Sequence, residues 1–169
     1  MYESGIIIRQ AKVEDLDLIF KNEGLCYQFP WSDNMLKACL LNQYLSLDSK
    51  KLDNFKRENK YAFFVMFCDG MMVGHLIVHK VIDEFHLHNI CVIPSFQGKK
   101  LGQKWLDYLI DLASNVQVKK IILEVRESNL VAIHLYEKNN FLLIGLRKKY
   151  YKQSNNGIPE NAHILKWSC

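Results

Sequence analysis

Apolar positions along the chain follow two rhythms. Val13, Leu16, Ile19 and Phe20 recur at helical spacing, and Glu14, Asp15 and Asp17 sit where a helix's positive end favours acids, so a first helix is expected over residues 13–25. A short strand over residues 5–10 precedes it. Phe29-Pro30-Trp31 interrupts the pattern, and Ser32 is a suitable N-cap for a second helix reaching about residue 45. Residues 46–60 are densely charged without apolar periodicity and read as an exposed helix extension or loop. Strand-like runs follow. Residues 61–67 and 72–79 are rich in aromatic and aliphatic side chains, and the Asp69-Gly70 pair between them signals a hairpin. A third strand covers residues 84–93. A polar, glycine-containing loop then opens a helix to about Asn115, with Leu101, Trp105, Leu106, Leu109, Ile110 and Leu112 on its apolar side. Residues 120–125, KIILEV, are short and almost continuously apolar, as expected of a central buried strand. A short helix over 129–139 and strands over 141–151 and 162–167 complete the order.

The order is strand, two helices, three strands, helix, strand, helix, two strands. The unit over residues 84–125 should be parallel with a right-handed crossover, and the hairpins make the rest antiparallel. The fold class is therefore mixed α/β, in a single domain over residues 1–169. A chain of 169 residues, 49% hydrophobic, has enough core to fold without disulfide or metal. The five cysteines, Cys26, Cys39, Cys68, Cys91 and Cys169, are odd in number and form no C-x-x-C pair, which indicates a reducing compartment. No signal-peptide pattern opens the chain, and the longest apolar run is far short of the ~20 residues that span a bilayer, so a soluble cytoplasmic protein is expected. The net charge of +4 suits a polyanionic cofactor but is too small to indicate nucleic acid. The basic cluster Arg147-Lys148-Lys149 beside Tyr150 and Tyr151 reads as a solvated strand end or a substrate rim.

Candidate chemistry concentrates in HNICVIPSFQGKKLGQKWL, residues 88–106. An apolar strand (Ile90, Cys91, Val92) turns at Pro94-Ser95 into the polar loop Gln97–Gly102 and then a helix. Such a junction offers unpaired backbone N–H groups and the positive end of a helix dipole to one anion, so a phosphorylated ligand is expected there.

That loop, the element order and the downstream run LEVRESNLVAIHLYEKNNF resemble the GNAT N-acetyltransferase superfamily. The matching residues are Phe29-Pro30-Trp31-Ser32, Asn89-Ile90-Cys91-Val92, Leu123-Glu124-Val125-Arg126, Ser128-Asn129, Leu135-Tyr136-Glu137 and residues 147–151, without a gap from Asn89 onward. Within the superfamily they are most like bacterial enzymes that acetylate the N-terminal alanine of a small-subunit ribosomal protein. The resemblance implies a mostly antiparallel sheet with one parallel strand pair and about four helices. It also implies acetyl-CoA as co-substrate without a metal, a protein N-terminus as partner, no direct contact with nucleic acid or membrane, and a monomer or weak dimer. Two features depart from the family pattern. Lys100 stands at the loop's middle glycine position, with a glycine at Gly98 instead; if that position needs positive φ, lysine costs on the order of 1 kcal/mol, offset if its ammonium faces a phosphate. The second is residues 46–60, which look like an insertion beside the acceptor groove.

Further implications of the resemblance concern individual residues. Backbone groups of Ile90, Cys91 and Val92 would hold the thioester, those of Gly98, Lys99, Lys100, Leu101, Gly102 and Gln103 after Gln97 would take the pyrophosphate, and Asn129 would contact the cofactor. Glu124, partly desolvated in its apolar strand so that its pKa rises, would accept the amine proton, and Tyr136 would protonate the departing thiolate. On the residues alone, Glu124 could instead pair with Arg126 on the same strand face, and Tyr136 could simply pack between helix and sheet. Neutralising an α-amino group at pH 7 costs about 1.4 kcal/mol and a lysine about 4.6 kcal/mol, so one carboxylate base suits a protein N-terminus better. A lysine or small-amine acceptor, and a non-catalytic acetyl-CoA-binding module, are the alternatives. Trp31, Tyr150 and Tyr151 could line a peptide groove or belong to the core. Cys91 has no evident histidine partner and reads as a small apolar filler; His86 and His88 read as a pair on the sheet surface rather than metal ligands; His75, His79, His134 and His163 carry no signal.

Overall fold

The computed structural model describes residues 5–43, 60–152 and 157–169. Seven strands form one sheet in the order β1-β2-β3-β4-β5-β7-β6. They are β1 (Ile6–Gln10), β2 (Lys60–Cys68), β3 (Met71–Val81), β4 (Glu84–Val92), β5 (Lys120–Arg126), β6 (Leu142–Tyr151) and β7 (Glu160–Ser168). Four α-helices among the described residues flank it: α1 (Leu16–Cys26), α2 (Asp33–Leu41), α3 (Leu101–Asn115) and α4 (Leu130–Lys138). Among these seven strands of the described residues β4 and β5 pair in parallel, and the other five neighbouring pairs are antiparallel.

Local chemistry explains most of these boundaries. At the β2–β3 hairpin, Asp69 (φ 49°) and Gly70 (φ 81°) both take positive φ, the conformation a tight two-residue hairpin turn needs. Ser32 caps α2 by accepting from the Met35 N–H, and Asn129 caps α4 by accepting from that of Ala132. Helix α2 stops at Leu41, earlier than its apolar spacing suggested, because the Asn42 side chain turns back onto the Ala38 carbonyl and Gln43 instead bridges to Tyr61. The charged stretch over residues 46–59 lies outside the described residues.

The sheet carries a core on each face. Phe64, Leu76, Phe85, Leu87, Ile121 and Leu123 meet α3 through Trp105, Leu106 and Leu109. Phe63, Val65 and Ile77 meet α1 and α2 through Ile19, Leu36 and Leu40. Each fully buried side chain of this size contributes about 1.5–3 kcal/mol. Strand β5 departs from expectation. Ile121, Leu123 and Val125 are buried, whereas Lys120, Ile122, Glu124 and Arg126 are only half-buried. Its second face lines an open cleft, so the strand is covered on one side only.

Candidate active site

The cleft exists because two parallel strands part. Pairing between β4 and β5 runs from Glu84↔Lys120 to Leu87↔Leu123 and stops, although both strands continue. The opening leads into a cavity of about 910 Å³ lined by residues of α1, β4, β5, α4 and the end of β6. Its lining includes Ile90, Cys91, Val92, Gln97, Gly102, Asn129 and Tyr136, together with Trp31, His88, Glu124, Arg126, Tyr150 and Tyr151.

Strand β4 is held tightly along this opening. The carbonyl of Ile90 accepts from the Tyr27 hydroxyl (2.6 Å), that of Cys91 from Trp105 Nε1 (3.2 Å) and that of Val92 from Gln97 Nε2 (2.9 Å). Gly74 makes the middle contact possible, since a Cβ there would stand 2.1 Å from the Cys91 carbonyl oxygen. Gln97 therefore turns its side chain back onto β4. In the loop beyond it, Gly98 (φ 74°) and Lys100 (φ 61°) both have positive φ. The conformational requirement anticipated at Lys100 is present, and lysine meets it without a glycine's freedom. No side chain caps α3, in contrast to α2 and α4, so its first N–H groups remain directed into the loop. Lys99 lies over the Phe96 ring at 4.3 Å, and Leu101 is buried in the core, leaving only its backbone to the loop. The Gln103 side chain is committed to Asp107 (2.8 Å) and Asn139 (2.6 Å).

The opposite wall is built from side chains. Glu124 receives a hydrogen bond from Arg147 Nη1 at 2.8 Å. The alternative partner, Arg126, pairs instead with Glu160 (3.2 Å) and stacks over the Tyr151 ring at 4.1 Å. Tyr151 donates its hydroxyl to the Glu124 carbonyl (3.3 Å), and burial pushes its phenol up to about 12. Tyr150 and Tyr151 meet edge to face at 5.0 Å, so the aromatic residues at the end of β6 do line the groove. Tyr136 reaches the cleft from the α4 side, packed on Phe141 at 5.5 Å; burial raises its phenol above the ordinary value, which keeps the hydroxyl protonated. Both anticipated features of Tyr136, aromatic packing and access to the cleft, occur together.

Sequence reasoning missed a buried polar network behind this wall. Glu23, on α1, is 1% exposed and receives Asn89 Nδ2 (3.1 Å) and the Trp31 N–H (2.9 Å), with His75 Nε2 at 3.0 Å. His75 Nδ1 lies 3.2 Å from Cys91 Sγ, so Cys91 does have a histidine partner and His75 is far from idle. With donors already on both Glu23 oxygens, the cluster reads as a hydrogen-bond network, and burial raises the Cys91 thiol well above its ordinary value. A signal was available: Glu23 falls on the same helical stripe as Leu16 and Ile19, where an acid must find buried partners. Tyr27, also missed, is half-buried near Tyr136, and desolvation raises its phenol too.

A parting parallel strand pair beside an uncapped helix N-terminus, with a carboxylate and a phenol entering from opposite faces of the sheet, forms a cleft suited to an extended ligand with an anionic group at one end. Comparison with known proteins gives the class. Residues 17–141 match the acetyltransferase (GNAT) family. The chain is 33% identical over 159 residues, covering 94% of this chain and 96% of the relative, to the ribosomal protein bS18-alanine N-acetyltransferase of Haemophilus influenzae. Its structure matches the crystal structure of the Escherichia coli ribosomal-protein alanine N-acetyltransferase with a TM-score of 0.81 at 31% identity, over 96% of this chain and 93% of that one. A GNAT acetyltransferase from Elizabethkingia anophelis with acetyl-CoA bound shares the fold at 17% identity and a TM-score of 0.73, over 99% of this chain and 100% of that one. The chain belongs to the GNAT family and is an acetyl-CoA-dependent N-acetyltransferase. No helix among the described residues is long and apolar enough to cross a membrane.

Proposed function

We propose that the protein moves the acetyl group of acetyl-CoA to the α-amine of a protein N-terminus, the N-terminal alanine of a small-subunit ribosomal protein, in the cytoplasm. The amine attacks the thioester directly in a ternary complex. Glu124 takes the amine proton, directly or through water, and Tyr136 gives its hydroxyl proton to the CoA thiolate. The observation that carries this reading is the convergence of Glu124 and Tyr136 on one cleft, at the point where β4 and β5 part. The pantetheine arm would lie along Ile90–Val92 and the pyrophosphate against the N–H groups of residues 98–103, with Asn129 alongside. The acceptor wall suits a peptide terminus. Trp31, Tyr150 and Tyr151 offer flat apolar surface, while Glu124 offers the one charge an ammonium needs. The relatives named for ribosomal protein bS18 support the choice of acceptor.

The reading is tested by CoA-thiol release with a peptide beginning in alanine. Glu124→Gln and Tyr136→Phe should each lower kcat by about 10²–10⁴-fold while acetyl-CoA still binds. Near wild-type turnover in both variants would overturn the assignment. Turnover only with lysine or polyamine acceptors would overturn the choice of substrate, and binding without turnover on any amine would leave a sensor.

A further inference from the structure

The geometry assigns a second proton-handling group to this site, and it rests on the acetyl-transfer reading: we propose that His88 is the final acceptor of the amine proton, receiving it from Glu124. Three observations place the ring for this task. Leu87↔Leu123 is the last paired position between β4 and β5, so His88 and Glu124 are the next residues on their strands, at the apex of the opening. Both line the cleft. His88 is also the extra residue of a β-bulge, since β3 pairs Ile77 with Asn89 and Val78 with Leu87, skipping it. The bulge puts the consecutive residues His88 and Asn89 on one face of β4, His88 against Trp31 and Tyr61 and Asn89 against Glu23, where strict alternation would separate them.

The surroundings keep the ring neutral and ready. His88 meets Tyr61 from β2 at 5.9 Å, His79 from β3 at 5.9 Å and Trp31 at 6.3 Å. Desolvation by this packing lowers its pKa, and like charge on His79 and His86 lowers it further, with only Glu124 opposing. Glu124 is in turn held by Arg147 from β6. His86, on the same strand, faces Glu84 at 3.5 Å.

A magnitude argues for a second group. Moving a proton from an α-ammonium to an ordinary carboxylate is uphill by about 3.7 pK units, whereas to an ordinary imidazole it is uphill by only about 1.5. The depressed basicity of His88 gives back part of that gain, yet leaves the ring unprotonated at neutral pH. The steps balance. The N–H bond of the ammonium breaks, its proton passes to the Glu124 carboxylate and on through a bridging water to a His88 ring nitrogen, and the freed lone pair attacks the acetyl carbon. The C–S bond breaks as the CoA sulfur takes the Tyr136 proton, the second N–H proton of the tetrahedral adduct returns to the Tyr136 phenolate to leave the neutral amide, and the imidazolium then loses its proton to water at the cleft mouth.

Three variants and one profile decide the matter, using the full chain, acetyl-CoA and an alanine peptide. The wild-type kcat should bend downward with acid on the low side of the ordinary histidine range. His88→Phe keeps the ring packing against Trp31 and Tyr61 but has no proton site. It should lose about 10²-fold or more in kcat and lose that bend, with acetyl-CoA binding unchanged. His88→Ala should lose as much and be restored in part by added imidazole. A wild-type profile with no bend in this range, or a His88→Phe enzyme at full rate, would overturn the proposal while leaving Glu124 and Tyr136 as base and acid. A costly His88→Phe beside a silent Glu124→Gln would do the reverse: Glu124 would fall as base and the ring would take the proton directly.

Discussion

The two walls of the cleft are made of different material. In the proposed reading the cofactor wall is backbone: the edge of β4, the loop with Gly98 and Lys100 at positive φ, and the uncapped start of α3, whose N–H groups would do the binding. Its side chains mostly turn away, Gln97 onto β4, Gln103 onto Asn139 and Leu101 into the core. The acceptor wall is side chain: Glu124 with Arg147, Arg126 with Glu160 and Tyr151, and Trp31 held from behind by Glu23. A backbone surface keeps its shape through many substitutions, whereas a wall of charged and aromatic side chains depends on each partner. Tolerance should therefore reside on the first wall and fragility on the second.

The largest test of that contrast is Glu23→Ala. The change removes the acceptor for Asn89 Nδ2 and the Trp31 N–H, and the partner of His75, at a side chain that is itself almost fully buried. Breaking a buried pair of this kind costs about 3–5 kcal/mol, which for a chain of this size lowers Tm by roughly 10 °C. Thermal unfolding followed by circular dichroism checks it. A loss under about 1 kcal/mol would mean that the network behind the acceptor wall is incidental to its shape.

A smaller effect distinguishes the walls by pH. His79 and His88, whose rings lie 5.9 Å apart, have depressed pKa values because desolvation disfavours their charged forms. The unfolded chain therefore binds protons first as pH falls through about 6.5, so stability drops on acidification and levels off below the folded values. Both rings are partly solvated, and after screening the effect should stay below about 1 kcal/mol. Urea midpoints between pH 7.5 and 5.5 should decline in the wild type and decline less in His79→Gln. An equal slope in the variant would remove that histidine from the account.

The same contrast explains what could be read from the sequence. Strands, helices and the hairpin follow from local periodicity and from Asp69-Gly70, and the structure keeps them with shifts of a few residues. The strand–loop–helix junction over residues 92–101 was legible because it depends on backbone conformation, which glycines and a turn proline announce. Glu124 and Tyr136 came from the resemblance, and the structure brings both to the opening. The partners of the acceptor wall were not legible. Glu124 chose Arg147, 23 residues away, over Arg126, two residues away on its own strand, because β5 and β6 lie either side of β7 and their long side chains converge there. Glu23 reaches Asn89 across 66 residues, and the Cys91–His75 contact depends on the β3–β4 register. These contacts are set by tertiary register, which single-strand patterns do not encode.

The finest test falls on Lys100, the one position where the backbone wall includes a charged side chain at positive φ. The left-handed conformation costs lysine on the order of 1 kcal/mol, which Lys100→Gly would relieve, although glycine's freer unfolded chain takes back roughly 0.5–1 kcal/mol. Lys100→Gly should therefore leave Tm within about 2 °C of wild type, whereas Lys100→Ala keeps the strain and gains nothing. Both lose the ammonium. If it meets the pyrophosphate, both should bind acetyl-CoA more weakly by up to about tenfold, equally and irrespective of backbone strain. Calorimetric titration of the two variants separates charge from conformation. Weaker binding in Lys100→Ala alone would assign the effect to strain, and unchanged binding in both would make the cofactor wall a surface of N–H groups with no charged contribution from this lysine.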